Sequence, residues 1–465
     1  MGNKCKMYVD IMACNPEVTG SCFLCVLKLP DRQTIKFIVD CGLFQEEEYF
    51  CFNNDFPFEC DNIDFMLLTH NHVDHTGRIP LLYKKGFRGK IYTSKTTKSL
   101  LPLALNDSYK VLSEIYKRKN LKRLYEEKDV DMALEYVEGI EFNKKTNVTP
   151  NIDITFLENG HLFGAAMILV EISYPDQQPI NLLFTGDYNN KNYFFEIGDI
   201  PKEVKDLRLS VIIESTYGDM SVKEVNNDFF QKKVIQAVSE RKTIILPAFS
   251  LGRSQEVLLE IKNLQDSNVL DKNIPIYFDG KLAHAYTRIL LNFEIKEFLP
   301  SNLTFVDSEI RETLLNTEDT KIIVTTSGMG TYGPAQVYIP YFISKKQSLI
   351  LFTGYTADGT LGQELKEAKQ GDFVKIGGLV CKKNADVAYC NQFSAHAKQE
   401  ELIELLNKFN NLRSVLINHG EKHKKQIFAE KVLETINVHN VAILDREYFF
   451  RIGSFGIIKS LSTKF

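Results

Sequence analysis

The sequence predicts an α/β protein of two parts, a sheet sandwich and a parallel α/β domain. Three observations carry this. Up to residue 187, apolar strands repeatedly deliver a histidine or aspartate just beyond their ends. From about residue 210 the organisation changes to apolar strand, Gly-bearing turn and helix, and after residue 385 the first style returns. At 465 residues the chain exceeds what one hydrophobic core usually supports, so two domains are expected.

Composition narrows the function classes. With 44% hydrophobic and 25% charged residues the chain is of ordinary globular type. A formal net charge of −4 argues against a protein that coats nucleic acid through bulk positive charge. The nine cysteines are an odd number scattered along a chain with no signal peptide, which predicts reduced thiols and a cytoplasmic location. Cys22 and Cys25 form a C-x-x-C, but they fall inside an apolar run that reads as a buried strand. No apolar run reaches the length of a membrane span. Met1-Gly2 fails as a myristoylation signal because Lys6 stands where Ser or Thr is needed.

In chain order, residues 15–29 and 34–40 read as two strands joined by a turn at Pro30-Asp31, the second ending in Asp40-Cys41-Gly42. Phe65 to Leu68 reads as a buried strand. Residues 94–142 lack Gly/Pro punctuation and read as helical, and the basic run Lys117-Arg118-Lys119 within them reads as a solvated face. Strands resume at 152–158, 167–173 and 180–185, and the first and last deliver His161 and Asp187. Four strand–turn–helix units begin at Thr243, Ile274, Lys321 and Ser348, as expected of a parallel sheet with its working loops beyond the carboxyl ends of the strands. Beyond them a helix over 399–409 and a strand over 414–417 lead to His419. His284, His423 and His439 fit no such pattern and read as surface or core residues.

The densest chemistry is Thr69-His70-Asn71-His72-Val73-Asp74-His75. Three of the nine histidines fall within six residues, with a carboxylate among them. Imidazole and carboxylate are the ligands that borderline divalent metals favour. In an extended or turn conformation His70 and His72 can share one ion while Asp74 and His75 face a second. His161 and Asp187, each beyond an apolar strand, can complete two metal shells.

The cluster, taken with Asp40, His161 and Asp187, resembles the metallo-β-lactamase superfamily. Glu214-Ser-Thr-Tyr-Gly218, Pro247-Ala-Phe-Ser-Leu-Gly-Arg253, Ser327-Gly328-Met329, Gly354-Tyr355, Asp358 to Gly362, Phe393-Ser-Ala-His396 and Asn418-His-Gly-Glu421 resemble its β-CASP subgroup. The resemblance implies an αββα metallo-β-lactamase sandwich over residues 1–213 and 386–465. It implies an inserted β-CASP domain over 214–385 and an active site in the cleft. His70, His72 and His161 would hold one zinc ion, Asp74, His75 and His419 the other, and Asp187 would bridge them. Asp40 would orient the shell and the attacking water, and Glu214 would position His396, the general acid. Arg253, Ser394 and the backbone at Gly328 are the expected substrate contacts.

The function this resemblance implies is that of a two-zinc ribonuclease acting on single-stranded RNA, with no membrane attachment and a homodimer as the assembly to look for. The resemblance is greatest to the short bacterial and archaeal ribonucleases, without the extra C-terminal domain of ribonuclease J or the KH modules of the archaeal cleavage factors. Both endonucleolytic and 5′-exonucleolytic cleavage are compatible with it. The rivals are a DNA nuclease of the same fold, a small-molecule hydrolase of the superfamily and a catalytically inert RNA-processing scaffold. His419, where the DNA-processing branch usually has Val, favours RNA. Two departures stand out: Asn418 replaces the usual Val, and Lys398 stands where an acidic residue is common.

Overall fold

The computed structural model describes residues 6–463 except 225–227, 294, 318, 355, 357, 358 and 439. Met1, Gly2, Cys5, Tyr355, Asp358 and His439 therefore lie outside the described residues. The chain divides into two compact units, one of residues 1–192, 196–222 and 395–465 and one of 193–195 and 223–394. Both joins fall later than the expected 213/214 and 385/386. The strand Asp386–Tyr389 explains the second shift, because it pairs with Ser348–Phe352 and keeps the chain in the inserted unit.

Two sheets make the first unit. One runs, from edge to edge, through Gly456–Ser462, Tyr448–Gly453, Tyr8–Ala13, Phe23–Lys28, Thr34–Val39, Phe65–Leu67, Lys90–Ser94 and Val137–Ile140. The other runs through Asn440–Ile443, Asn411–Ile417, Arg208–Ile213, Ile180–Phe184, Ala166–Ile172, Ile152–Glu158 and Thr146–Thr149. Side chains alternate across a strand with a period of two, and the burial follows that period. Val9, Ile11, Ile154, Phe156, Ile168, Val170, Leu182 and Phe184 meet in the core between the sheets. Met12, Leu24, Ile38 and Met66 face the helices outside the first sheet, and Leu169, Leu183, Val211 and Val415 those outside the second. The result is the αββα sandwich, with the two ends of the chain side by side where Val9 to Ile11 pair with Phe450 to Ile452.

The region 94–142 is two helices, Lys95–Arg118 and Glu127–Glu135, followed by the strand Val137–Ile140. Lys117, Arg118 and Lys119 sit exposed at the end of the first helix, where cations oppose its dipole. Cys22 and Cys25 are buried free thiols. Among the described residues, no helix is long and apolar enough to cross a membrane.

The second unit is a parallel sheet in the order Leu303–Phe305, Ile276–Asp279, Lys321–Thr325, Thr243–Pro247, Ser348–Phe352, Asp386–Tyr389. A separate apolar cluster packs on each face. The four central strands are those the sequence predicts, while the short edge strands Leu303–Phe305 and Asp386–Tyr389 escape it. His284 is half-buried, its ring against Phe278 and Phe305 and its Nε2 2.8 Å from the Phe278 carbonyl. His423 is on the surface beside Asp219 and Glu421.

Pairing direction places the histidines. Ile180–Phe184, Arg208–Ile213 and Asn411–Ile417 are parallel neighbours, with Phe184 opposite Ile212 and Ile212 opposite Leu416. The residues just beyond them, Asp187, Glu214 and His419, therefore emerge at one edge. Thr34–Val39 and Phe65–Leu67 are also parallel, which sets Asp40 beside Thr69 and the histidine cluster. Gly42 makes this packing possible, since a Cβ there would stand 1.4 Å from the Asp74 carbonyl oxygen. Replacing Gly42 by Ala is expected to cost about 3 kcal/mol in urea unfolding, the upper range for overpacking, and to weaken divalent-metal uptake in parallel.

Candidate metal centre

The cluster begins where the strand Phe65–Leu67 ends. Leu68 and Thr69 carry the chain outward, His72 opens the short helix Val73–Thr76, and Asp74 and His75 lie in its single turn. His161 follows the strand Ile152–Glu158, where its N–H donates to Asn159 Oδ1 at 3.0 Å. His419 takes a left-handed backbone, φ 49°, and Asp40 does the same at φ 61°. Such conformations are uncommon outside Gly and Asn and concentrate at functional sites.

Two ligand sets result, one of His70, His72, His161 and Asp187 and one of Asp74, His75, His419 and the same Asp187. Within each set one ligand atom per residue lies within 4.8 Å of every other. Asp187 divides its oxygens between them. Its Oδ2 is 3.5 Å from His70 Nε2 and 3.4 Å from His161 Nε2, while its Oδ1 is 3.2 Å from His75 Nε2 and 3.3 Å from His419 Nε2. Asp187 is 2% exposed, yet Oδ1 accepts no hydrogen bond from the protein.

The outward ring nitrogens of four of the five ligand-set histidines are engaged. His75 Nδ1 is 2.7 Å from Asp40, His161 Nδ1 2.8 Å from the Ala395 carbonyl, His419 Nδ1 3.1 Å from Thr216 Oγ1 and His70 Nδ1 3.0 Å from Thr69 Oγ1. A carboxylate or carbonyl at Nδ1 holds the proton there and turns the Nε2 lone pair inward. The inward nitrogens crowd together, with His70 Nε2 and His161 Nε2 3.2 and 3.1 Å from His72 Nδ1, and His75 Nε2 3.2 Å from His419 Nε2. Lone pairs that face one another repel unless a cation lies among them. Tetrahedral zinc, with Zn–N of about 2.0–2.1 Å, sets its nitrogens about 3.3 Å apart, so spacing, donor types and the orphaned Asp187 oxygen all fit a divalent ion.

The electrostatics agree. Burial holds the His70 and His161 pKa well below the usual histidine value, as a neutral ligand requires. Burial also opposes charge on His75, but the carboxylates of Asp187 and Asp40 override it and raise its pKa well above the ordinary value. The cluster thus demands positive charge, as protons or as metal.

Beside it stands a third group. Glu214, 2% exposed, accepts from the Tyr188 N–H at 2.5 Å and lies 2.9 and 3.0 Å from His396 Nδ1 through its two oxygens. His396 Nε2 is 3.9 Å from Asp187 Oδ2, and the side chain keeps 18% of its surface exposed. Burial depresses its pKa, but Glu214 and Asp187 outweigh that and leave it raised. Lys398 braces this loop, its ammonium 4.3 Å above the Tyr217 ring and donating to the His396 carbonyl at 3.2 Å. Asn418 is equally well placed, accepting from Asn15 at 3.1 Å and donating to the Leu444 carbonyl at 3.1 Å.

Of the residues singled out in the sequence, the ten at positions 40, 70, 72, 74, 75, 161, 187, 214, 396 and 419 come together in one unit. Asp40 meets Thr69 and His75, so it acts through them as a positioning residue. Arg253, Ser394 and Gly328 belong to the other unit. Arg253 corrects an expectation. Its guanidinium is 8% exposed, donates to the carbonyls of Thr353 and Phe393 and lies beside Glu256. It is a strut of its own unit rather than a free phosphate contact. Thr69, Thr216, Tyr188, Ala395 and Asn15 are the supporting residues that sequence reasoning missed. The first four lie within two residues of a ligand or of Glu214 and His396, the only signal they carry.

A sandwich with two histidine–carboxylate sets at one edge is the architecture of a metal-dependent hydrolase fold. Three family models match in order along the chain: a metallo-beta-lactamase superfamily domain over 29–195, a Beta-Casp domain over 254–365, and a Zn-dependent metallo-hydrolase RNA specificity domain over 381–443. The chain belongs to the β-CASP group of the metallo-β-lactamase superfamily. It is 29% identical to an RNase J-like protein of Methanocaldococcus jannaschii, over 88% of this chain and 92% of that one. It is 28% identical to the transcription termination factor FttA of Methanosarcina mazei, over 93% and 69%. A ribonuclease of Thermus thermophilus is also 28% identical, over 88% and 92%. Nothing in these likenesses speaks for a homodimer.

Replacing Arg253 by Ala is expected to destabilise the second unit by about 3 kcal/mol, from the carbonyls it leaves unpaired. Divalent-metal uptake, measured by elemental analysis, should stay at the parent value.

Proposed function

We propose that the protein is a zinc-dependent ribonuclease that hydrolyses phosphodiester bonds of single-stranded RNA. The observation that carries this reading is the Glu214–His396 pair set against a carboxylate shared by two ligand sets. The names of the RNase J-like, termination-factor and ribonuclease relatives support the substrate class. His70, His72, His161 and Asp187 would hold one ion, and Asp74, His75, His419 and Asp187 the other. When bound, the ions would supply an activated water near neutral pH and neutralise charge on the phosphoryl oxygens.

The chain's own residues do the rest. Asp40 fixes the His75 tautomer, and Thr69 and Thr216 fix the rings of His70 and His419. Glu214 stabilises a protonated His396 and turns its Nε2 toward the cluster. From there that nitrogen would give its proton to the 3′-oxygen leaving the phosphorus. A residue pair for leaving-group protonation is superfluous in a scaffold that only binds RNA, and this favours an enzyme.

His396→Ala should keep near-parent zinc content and lose cleavage by about 10²- to 10⁴-fold, the usual worth of a positioned general acid. Loss of zinc in step with activity would remove the assigned role. His72→Ala and His419→Ala, each striking one ligand set, should each lower zinc per chain by about half of the parent content, as expected of two sites whose histidine ligands are separate. RNA and DNA of equal sequence, labelled at either end, test the substrate. RNA cleavage with DNA left intact is expected, and preferential cleavage of DNA would overturn the reading.

A further inference from the structure

Three of the four most exposed large apolar side chains of the described residues lie on one small element of the second unit. The strands Phe373–Ile376 and Leu379–Lys382 form an antiparallel hairpin with Ile376 opposite Leu379. Gly377 and Gly378 close it with positive φ, the geometry of a two-residue turn. Phe373 is 71% exposed, Val380 70% and Leu379 61%. The other face is anchored, because Val374, Ile376 and Cys381 join the core of the unit. Lys383 pins the base through its ammonium, which donates to the carbonyls of Leu365 and Ala368 at 2.8 and 2.6 Å.

The outward face is a checkerboard. Phe373 stands opposite Lys382 and Val380 opposite Lys375, so the two lysines occupy one diagonal and the two apolar side chains the other. Among the described residues neither lysine has a carboxylate partner, and no acidic side chain is part of this face. Diagonal neighbours on a ribbon stand about 7–8 Å apart. We infer that this face is a contact for single-stranded RNA, outside the metal cluster. The phenyl ring offers a stacking surface to a base, and the ammonium groups pair with successive phosphates. A protein partner fits the face less well, since lysine is depleted in the buried cores of protein interfaces and would be desolvated there unpaired. The inference rests on the reading of RNA as substrate.

The test uses the full chain and two RNAs, a long oligouridylate and, as the short control, a tetrauridylate. In a chelating buffer, Lys375→Ala/Lys382→Ala should weaken binding of the long RNA about tenfold. It should also reduce the slope of log Kd against log salt by about 1.4, two phosphate contacts at about 0.7 each. Phe373→Ala should weaken the same RNA about fivefold or more with the slope unchanged. All variants should cleave the tetrauridylate, with metal restored, at the parent rate. A parent that binds and cleaves RNA with variants equal to it in affinity and slope overturns the inference alone. A parent that neither binds nor cleaves RNA overturns the ribonuclease reading itself. A parent dimer that Phe373→Ala dissociates, with RNA affinity unchanged, would make the hairpin a contact between copies and overturn the inference as well.

Discussion

The buried carboxylate of Asp187 is the constraint on which the first unit depends. One oxygen faces His70 and His161 and the other faces His75 and His419. An isolated carboxylate in such a place would be driven to neutralise by desolvation. The surrounding imidazoles instead hold its pKa well below the usual carboxylate range, against the opposing effect of burial. The site is therefore an arrangement of charge that the fold has to balance, and a divalent metal held by these rings balances it more completely than protons on crowded rings.

That arrangement is held from outside. Asp40, Thr69, Thr216 and the Ala395 carbonyl each take the far nitrogen of one histidine, and they come from four separate stretches of chain. Two of the eight non-glycine residues with positive φ among the described residues, Asp40 and His419, sit within this ring of supports. Strain of that kind persists only where the surrounding structure over-determines it. Here the support is the parallel register of neighbouring strands, which brings Asp187, Glu214 and His419 to one edge.

The two departures from the family pattern have physical accounts. A polar Asn418 in a buried position is tolerable because Asn15 and the Leu444 carbonyl satisfy its amide. Lys398 replaces an acid without disturbing the Glu214–His396 pair, because its charge is directed at the Tyr217 ring and the His396 backbone rather than at the imidazole. Neither change alters a ligand atom. Arg253 shows the opposite lesson: a residue next to a Gly-rich turn looked available for phosphate, and burial had already committed it to carbonyls within its own unit.

By itself the sequence determined the donor set and the architecture. Histidine is scarce in this chain, so three within six residues after an apolar strand leave few readings besides metal, and the switch from strand-end ligands to strand–turn–helix units marks the inserted domain. The tertiary structure decided everything that depends on which way a side chain faces. It alone gave each Asp187 oxygen its own set and made Asp40 a support for His75. It buried Arg253 and left the outer face of one hairpin bare. The reason is that donor type and strand period are local properties written residue by residue, whereas orientation and exposure depend on partners hundreds of positions away, such as His75 and His419, which meet only when the sandwich closes.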